Sequence, residues 1–502
     1  MFSNDNGIVI ERHRGLNRYN RMIFGQFLEH FHRQVYGGIF DPGSPLSDKS
    51  GFRMDAIEAL RELKPPVVRW PGGCFVSSYH WLNGVGPVRK PDYDKAWRVE
   101  EPNTFGTAEF ISWCQLIGAE PYICANAGSG TPEEMSAWLE YCNLKDMGRW
   151  AKLRKENGRP APYDVGYWSI GNENYGDWEM GAKTKGEWGP FVAESAKMMR
   201  QVDPSIKLLA AALPDLDWTL NLLRHAGKYL DMVSIHGYWD KLHSKNEPAD
   251  YAKCMEWSVR PEEDIRKTEQ IIAAAGFEGK IGIAYDEWNL RGWHHPTGTS
   301  DEAIGARDLN DINSTYTMAD AVFSSCFLNS CLRHPATVKM ANMAPIVNTR
   351  GPLFIHPGGI VKRTTFHILS MYSSLLKDNV VDTWATGAPV KFGNAAMPPI
   401  DAIATCDDSM EDWTIILANR DPEMEIDCKI AFGDAIIAGP ANVTCLSGGS
   451  KDDFNDIQTP NRVIPKTSAV NIEGSSLKLP PHSVTALSFG KDALRKAEFS
   501  KN

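Results

Sequence analysis

A chain of 502 residues is longer than one ordinary domain, so a large barrel joined to a smaller module is the economical division. Hydrophobic residues make up 42% and charged residues 23%, the balance of a globular protein with a sizeable core. The formal net charge is −10 and no basic cluster carries interleaved aromatics, which excludes nucleic acid and anionic membrane as partners.

The start, Met1-Phe2-Ser3-Asn4-Asp5-Asn6, has no basic residue, apolar core or cleavage site of a signal peptide. No run approaches the ~18 apolar residues of a membrane span. The ten Cys are scattered from Cys74 to Cys445 without paired short spacing, which suits reduced thiols in the cytoplasm. Two glycosylation sequons, at Asn313 and Asn442, keep a secreted mature form open.

Taken in chain order, the first element is an apolar run at 7–11, in a segment (1–14) expected to join the C-terminal module as an extra strand. From 15 to 374, β-branched apolar runs alternate with helical patterns. Strands are predicted at 22–27, 67–70, 121–125, 165–170, 207–211, 232–236, 280–285 and 337–343. Helices are predicted between them at 54–63, 107–116, 132–141, 189–202, 261–275 and 316–332, one opening with the start signal Thr131-Pro132-Glu133-Glu134. Parallel strands need helical cover, so the reading is an α/β fold, a (β/α)8 TIM barrel. From 375 to 502 helical periodicity gives way to short alternating runs such as Trp413-Thr414-Ile415-Ile416-Leu417-Ala418, separated by Pro, Gly, Asn and Asp. That texture predicts an all-β sandwich of jelly-roll type.

The chemistry gathers at predicted strand ends. Glu173 closes Tyr167-Trp168-Ser169-Ile170-Gly171-Asn172-Glu173, and Glu287 closes Ile281-Gly282-Ile283-Ala284-Tyr285-Asp286-Glu287. Further polar residues end other strands: Glu29 and His30, Arg69 and Cys74, His236 and Tyr238. Loops at the C-terminal rim of such a barrel carry the active site. Two carboxylates converging there suit glycosidic-bond cleavage, one protonating the leaving oxygen and one attacking carbon or activating water. With Glu287 ionised, a second nearby charge is disfavoured, so the Glu173 carboxyl is expected to be raised. No Gly-rich phosphate loop follows a strand, so no cofactor is expected. His294-His295 lack acidic or Cys partners at ligand spacing and read as a solvated loop, leaving no metal site.

The motifs Phe24-Gly25-Gln26-Phe27-Leu28-Glu29-His30, Arg69-Trp70-Pro71-Gly72-Gly73, Asn83-Gly84-Val85-Gly86-Pro87, Gly171-Asn172-Glu173 and Asp286-Glu287-Trp288-Asn289, in this order, resemble the α-L-arabinofuranosidases of glycoside hydrolase family 51. The resemblance implies a retaining enzyme that releases terminal non-reducing arabinofuranosyl residues from oligo- or polysaccharides and assembles as a trimer or hexamer. It makes Glu173 the general acid/base and Glu287 the nucleophile. Arg69 and Tyr238 would hold Glu287, Glu29 and Asn172 would bind sugar hydroxyls, and Cys74 and Trp97 would line the pocket. His236 is divided between scaffold and ligand contact. Where the family commonly places a sugar-contacting Gln after the eighth strand, this chain has Arg363, a longer, charged, donor-only side chain expected to alter sugar preference. Other retaining glycosidases on the same scaffold (galactofuranosidase, β-xylosidase or β-glucanase) and a non-catalytic carbohydrate-binding relative are the competing readings.

Overall fold

Residues 6–242 and 245–496 are described by a computed structural model. Eight parallel strands close on themselves: β1 Gly25–Phe27, β2 Val67–Trp70, β3 Glu120–Ala125, β4 Tyr167–Ile170, β5 Lys207–Ala211, β6 Met232–Asp240, β7 Gly282–Arg291 and β8 Val338–Met343. Each pairs with its sequence neighbour, and β8 returns to β1 with Asn342 opposite Gly25. Strands buried on both faces read as near-continuous apolar runs, which is why they stood out in the sequence.

Three strands, β1, β6 and β7, differ from expectation by three residues or more at an end. Residues Met22–Phe24, read as the start of the first strand, belong instead to a 3-10 turn, Arg21–Phe24, capped by the Asn20 side chain, which accepts from the Met22 N–H. β6 and β7 run beyond their predicted ends and stay paired to Asp240 opposite Arg291. The Arg291 guanidinium pins this extension, donating to Asp240 at 2.6 Å and to Asp320 at 3.0 Å. The extension carries Tyr238 and Glu287 upward to the rim.

The barrel interior is layered. Val67, Tyr122, Leu209, Met232, Ala284 and Met340 fill its N-terminal end. Each such burial stabilises by roughly 1.5–3 kcal/mol for a large apolar side chain. Above them lies a polar layer of Arg69, Cys124, Ser169, Ser234 and Asp286, all buried, and above that the rim.

Outside the strands, helices begin where the chain supplies caps. Pro132–Asn143 opens with Thr131 accepting from the Glu134 N–H and Pro at its first turn. Met318–Leu332 is buried on every side, because the barrel lies on one face and the C-terminal sheets on the other. Among the described residues no helix is long and apolar enough to cross a membrane.

Beyond the barrel stand two antiparallel-dominated sheets. One contains Ile400–Cys406, Trp413–Asn419, Ser483–Phe489 and Gly439–Leu446 side by side. The other contains Ile426–Phe432, whose burial alternates strictly along the strand. The N-terminal strand Gly7–Ile10 inserts into this second sheet, antiparallel to Thr383–Thr386 and parallel to Ile426–Phe432. Period-two alternation splits the first sheet between two cores. Ala402, Ile415, Leu417 and Leu487 face the sandwich interior, whereas Ile403, Ile416, Val484 and Ala486 join the barrel core.

Candidate active site

A cavity of about 690 Å3 opens at the C-terminal ends of the strands, lined by Glu29, Cys74, Trp97, Glu173, His236, Tyr238 and Glu287 among others. Seven of the residues expected at the site therefore meet in one place.

Glu287 sits on β7 beside Asp286, and both reach Arg69 on β2, so neighbours in sequence face the interior together. The ladder register shifts here, between Ser234 and His236 on one side of β7 and between Tyr285 and Trp288 on the other. Arg69, wholly buried, donates through Nη1 to Glu287 Oε2 and through Nη2 to Asn172 Oδ1, each at 2.7 Å. The Tyr238 hydroxyl donates to the other oxygen of Glu287 at 2.8 Å. Asp286 lies one layer below, accepting from Tyr122 at 2.6 Å and from Ser234. Burial opposes its charge, but Arg69 and His236 outweigh burial and hold it down to about 2.

Glu173 follows β4 with a left-handed φ of 42°, an uncommon state for a residue with a side chain. Gly171 makes the turn possible. A Cβ there would stand 2.0 Å from Asn174 Oδ1 and 2.8 Å from Trp188. The Glu173 carboxylate accepts from Trp178 Nε1 at 2.9 Å and meets His236 Nδ1 at 2.9 Å. Burial pushes this carboxyl up, yet the hydrogen bond and charge of His236, with Trp178 and Arg69, bring it below its ordinary value. The sequence argument, which weighed only Glu287 against Glu173, pointed the other way. What it lacked was the imidazole. Burial works against a charged His236, but Glu287, Asp286 and Glu173 lift it to about 10.

Glu29 is buried, and its Oε1 accepts from the backbone N–H of Gly73 at 2.9 Å, of Phe75 at 3.0 Å and from Trp97 Nε1 at 3.3 Å. Burial and the Glu287 charge push its carboxyl well up. Cys74 borders the cavity beside Glu179, a residue the sequence reading missed. Glu179 accepts from Ser77 at 2.6 Å and from Asn172 Nδ2 at 3.0 Å. Burial and neighbouring Glu173 raise it to about 7. Arg69 thus lies under the cavity wall, bonded to Glu287, and Asn172 lies behind it between Arg69 and Glu179. Trp178, Trp293 and His295 also line the cavity unanticipated, with His295 packed edge-on against Trp97 and Trp293 stacked on it, each 5.7 Å away. The only sequence signal for the Trp pair was the count of sixteen Trp in a chain with sugar-cleaving motifs.

Arg363 does not reach the cavity. It is fully buried at the start of helix Thr364–Leu375, donating to Asn313 Oδ1 and to the Gly351 carbonyl at 2.8 Å, with its guanidinium 3.8 Å from the Tyr316 ring centroid. Position in an alignment does not give the direction of a side chain, and here it points behind the rim. His294, read as solvated, is buried with its backbone N–H held by Asn310 at 2.8 Å. One ligand atom each of Glu173, His236 and Glu287 lie within 4.8 Å of one another. The guanidinium of Arg69 and the protonated imidazole already supply the cations there, so the donor set does not suit a metal ion.

Two family models match the chain, the alpha-L-arabinofuranosidase 1 domain over residues 59–256 and the alpha-L-arabinofuranosidase C-terminal domain over residues 286–483. The structure of the GH51 alpha-L-arabinofuranosidase from Thermotoga petrophila superposes with a TM-score of 0.85 at 31% identity, covering 97% of this chain and 100% of that one. Alpha-L-arabinofuranosidase C of Emericella nidulans is 37% identical over 74% of this chain and 75% of its own. The chain belongs to the α-L-arabinofuranosidases of glycoside hydrolase family 51. This family 51 enzyme is also 33% identical, over 82% of its length and 84% of the other, to a Halalkalibacterium halodurans protein named intracellular exo-alpha-(1->5)-L-arabinofuranosidase.

Proposed function

We propose that this arabinofuranosidase releases terminal non-reducing α-L-arabinofuranosyl residues by double displacement, with Glu287 as nucleophile and Glu173 as acid/base. The observation that carries the proposal is separation. An oxygen of each carboxylate lies within 4.8 Å of the other. Retaining glycosidases hold their carboxyl groups about 5–5.5 Å apart, and inverting ones leave about 6.5–9.5 Å for a water.

Arg69 and Tyr238 grip one oxygen each of Glu287 and aim the carboxyl into the cavity. Glu173 and His236 share one proton at neutral pH, resting on Nδ1 and reaching Oε1 along their hydrogen bond. In the first step Glu287 bonds to the anomeric carbon while the pair gives its proton to the departing glycosidic oxygen. Glu173 is then a carboxylate beside a neutral imidazole. In the second step it takes a proton from water, the water oxygen bonds to the anomeric carbon, and Glu287 leaves. The proton returns to the pair. Proton NMR of the first-formed sugar should show the anomeric configuration of the substrate; direct formation of the opposite anomer would rule the mechanism out.

Exo action and a cytoplasmic location are supported by the name of the Halalkalibacterium halodurans relative. A trimer or hexamer rests on family resemblance, and light scattering on the purified enzyme tests it.

A further inference from the structure

The cavity has two electrostatic zones. Its depth holds the carboxyls of Glu29 and Glu287, both buried, and of the partly buried Glu173. Its exposed edge holds Lys95, Arg98 and Lys241, which make no ion pair or side-chain hydrogen bond among the described residues. Three unpartnered cations at one cavity mouth stand out in a chain of net charge −10.

They come from two separate segments. Lys95 and Arg98 flank Trp97 on the tip between strands Asp92–Asp94 and Val99–Glu101, while Lys241 directly follows β6. The tip is held from beneath. The buried Asp94 carboxylate accepts from the N–H of Ala96 at 2.9 Å and of Trp97 at 3.1 Å, and the Arg98 N–H donates to the Asp94 carbonyl at 2.8 Å. Arg98 adopts φ 58°, a left-handed state that Gly or Asn takes more easily. A long cation is kept at a strained position, and strain of this kind gathers at ligand-contacting sites.

We infer that the mouth of the cavity binds an anionic leaving group, namely the carboxylate of a uronic acid in the sugar chain that carries the arabinofuranosyl residue. The inference rests on the arabinofuranosidase reading and names the substrate class of the same site. The sugar being released is neutral and occupies the acidic depth, so the cations face the part that departs. The charge a sugar ring carries next to a glycosidic oxygen is the C6 carboxylate of a hexuronic acid, and guanidinium pairs with a carboxylate through two parallel hydrogen bonds. Exposed cations also steer an anionic chain inward and set a rate that falls with salt.

The test compares two oligosaccharides of equal length, each carrying one arabinofuranosyl residue, one with a uronate beside the branch and one neutral. At low salt the wild type should show kcat/KM about tenfold higher on the uronate substrate, and high salt should shrink that ratio. The triple variant Lys95→Met, Arg98→Gln, Lys241→Met should bring the ratio to about one, and Lys241→Glu should lower it below the wild-type value. The arabinose-free backbones provide a second readout, the uronate form inhibiting 4-nitrophenyl arabinofuranoside turnover more strongly. Equal kcat/KM on both substrates, or a preference that survives the triple variant, would overturn the inference while leaving the arabinofuranosidase activity standing. Failure to turn over 4-nitrophenyl arabinofuranoside would instead strike the activity itself.

Discussion

His236 bridges two carboxylates, with Nδ1 2.9 Å from Glu173 Oε1 and Nε2 3.3 Å from Asp286 Oδ1. The imidazole therefore stores the proton that the leaving oxygen needs. In the wild type that proton is held until His236 titrates, at about pH 10. His236→Asn removes the store, and the proton must then sit on Glu173 alone. Activity on alkyl arabinofuranosides, which need protonation, should fall off at a lower pH in the variant. Nitrophenyl substrates should show a smaller shift. Superimposable pH–kcat/KM profiles for the two enzymes would remove His236 from the proton path.

The two glutamates should separate by leaving group. Glu287→Ala should abolish turnover of every substrate, because no covalent intermediate forms. Glu173→Ala should cost about 10²–10⁴-fold on alkyl arabinofuranosides and much less on substrates whose leaving group departs unprotonated. Azide should restore part of the Glu173→Ala activity with a retained glycosyl azide as product. Azide rescue of Glu287→Ala to that same product would reverse the assignments.

Arg363→Gln should be a stability variant. The substitution strips a buried guanidinium of its bonds to Asn313 and Gly351 and its stacking on Tyr316, leaving those acceptors unpaired. A loss of about 2–4 kcal/mol in unfolding free energy is expected. The ratio of kcat/KM between arabinofuranosides and other furanosides should stay at its wild-type value. A tenfold change in that ratio without a drop in Tm would restore the residue to sugar selection.

Where sequence reasoning succeeded and failed follows from the range of the interactions. Glu173 and Glu287 were legible because each closes an apolar run in the sequence, and such a run reports a buried strand even though the β7 strand continues past Glu287 to Arg291. Glu179 was not, since nothing around Gly176-Asp177-Trp178-Glu179 says that the loop folds back to Ser77. The lowered Glu173 carboxyl was missed for the same reason, its deciding partner lying 63 positions away on another strand. Arg363 was expected at the sugar and lies away from the cavity, because a helix start can aim a side chain to either side of the rim.

An ion network joins barrel to sandwich and gives the fold its own pH window. Arg333 donates to Glu262 and to Asp401 at 2.8 Å each, and His334 Nδ1 meets Glu269 at 2.9 Å. Burial disfavours the His334 cation, but Glu262 and Glu269 outweigh it and lift it from 6.5 to about 9. Its contribution is complete below pH 6.5 and fades as pH rises to 9. Glu262 is disfavoured by burial too, yet His334, Arg333 and Arg266 lower it from 4.5 to about 2, so its contribution holds above pH 4.5 and fails toward pH 2. His334→Gln should lower stability by roughly 2 kcal/mol at pH 6 and by much less at pH 10. Calorimetry at the two pH values checks this, and an equal loss at both would show that the imidazole charge plays no part.

The pairing of Gly7–Ile10 with Ile426–Phe432 sets a timetable for biosynthesis. Arg12 and Asp434, hydrogen-bonded beside this strand pair, are 422 positions apart. A ribosome adding about 5–20 residues per second leaves the N-terminal strand without its sheet for roughly 20–80 s. Barrel units can collapse as they emerge, but this strand, made before them, is among the last to find its place. Chaperone engagement with the nascent chain is therefore expected to concentrate on the apolar tetrad Gly7-Ile8-Val9-Ile10 until Ile426–Phe432 has emerged.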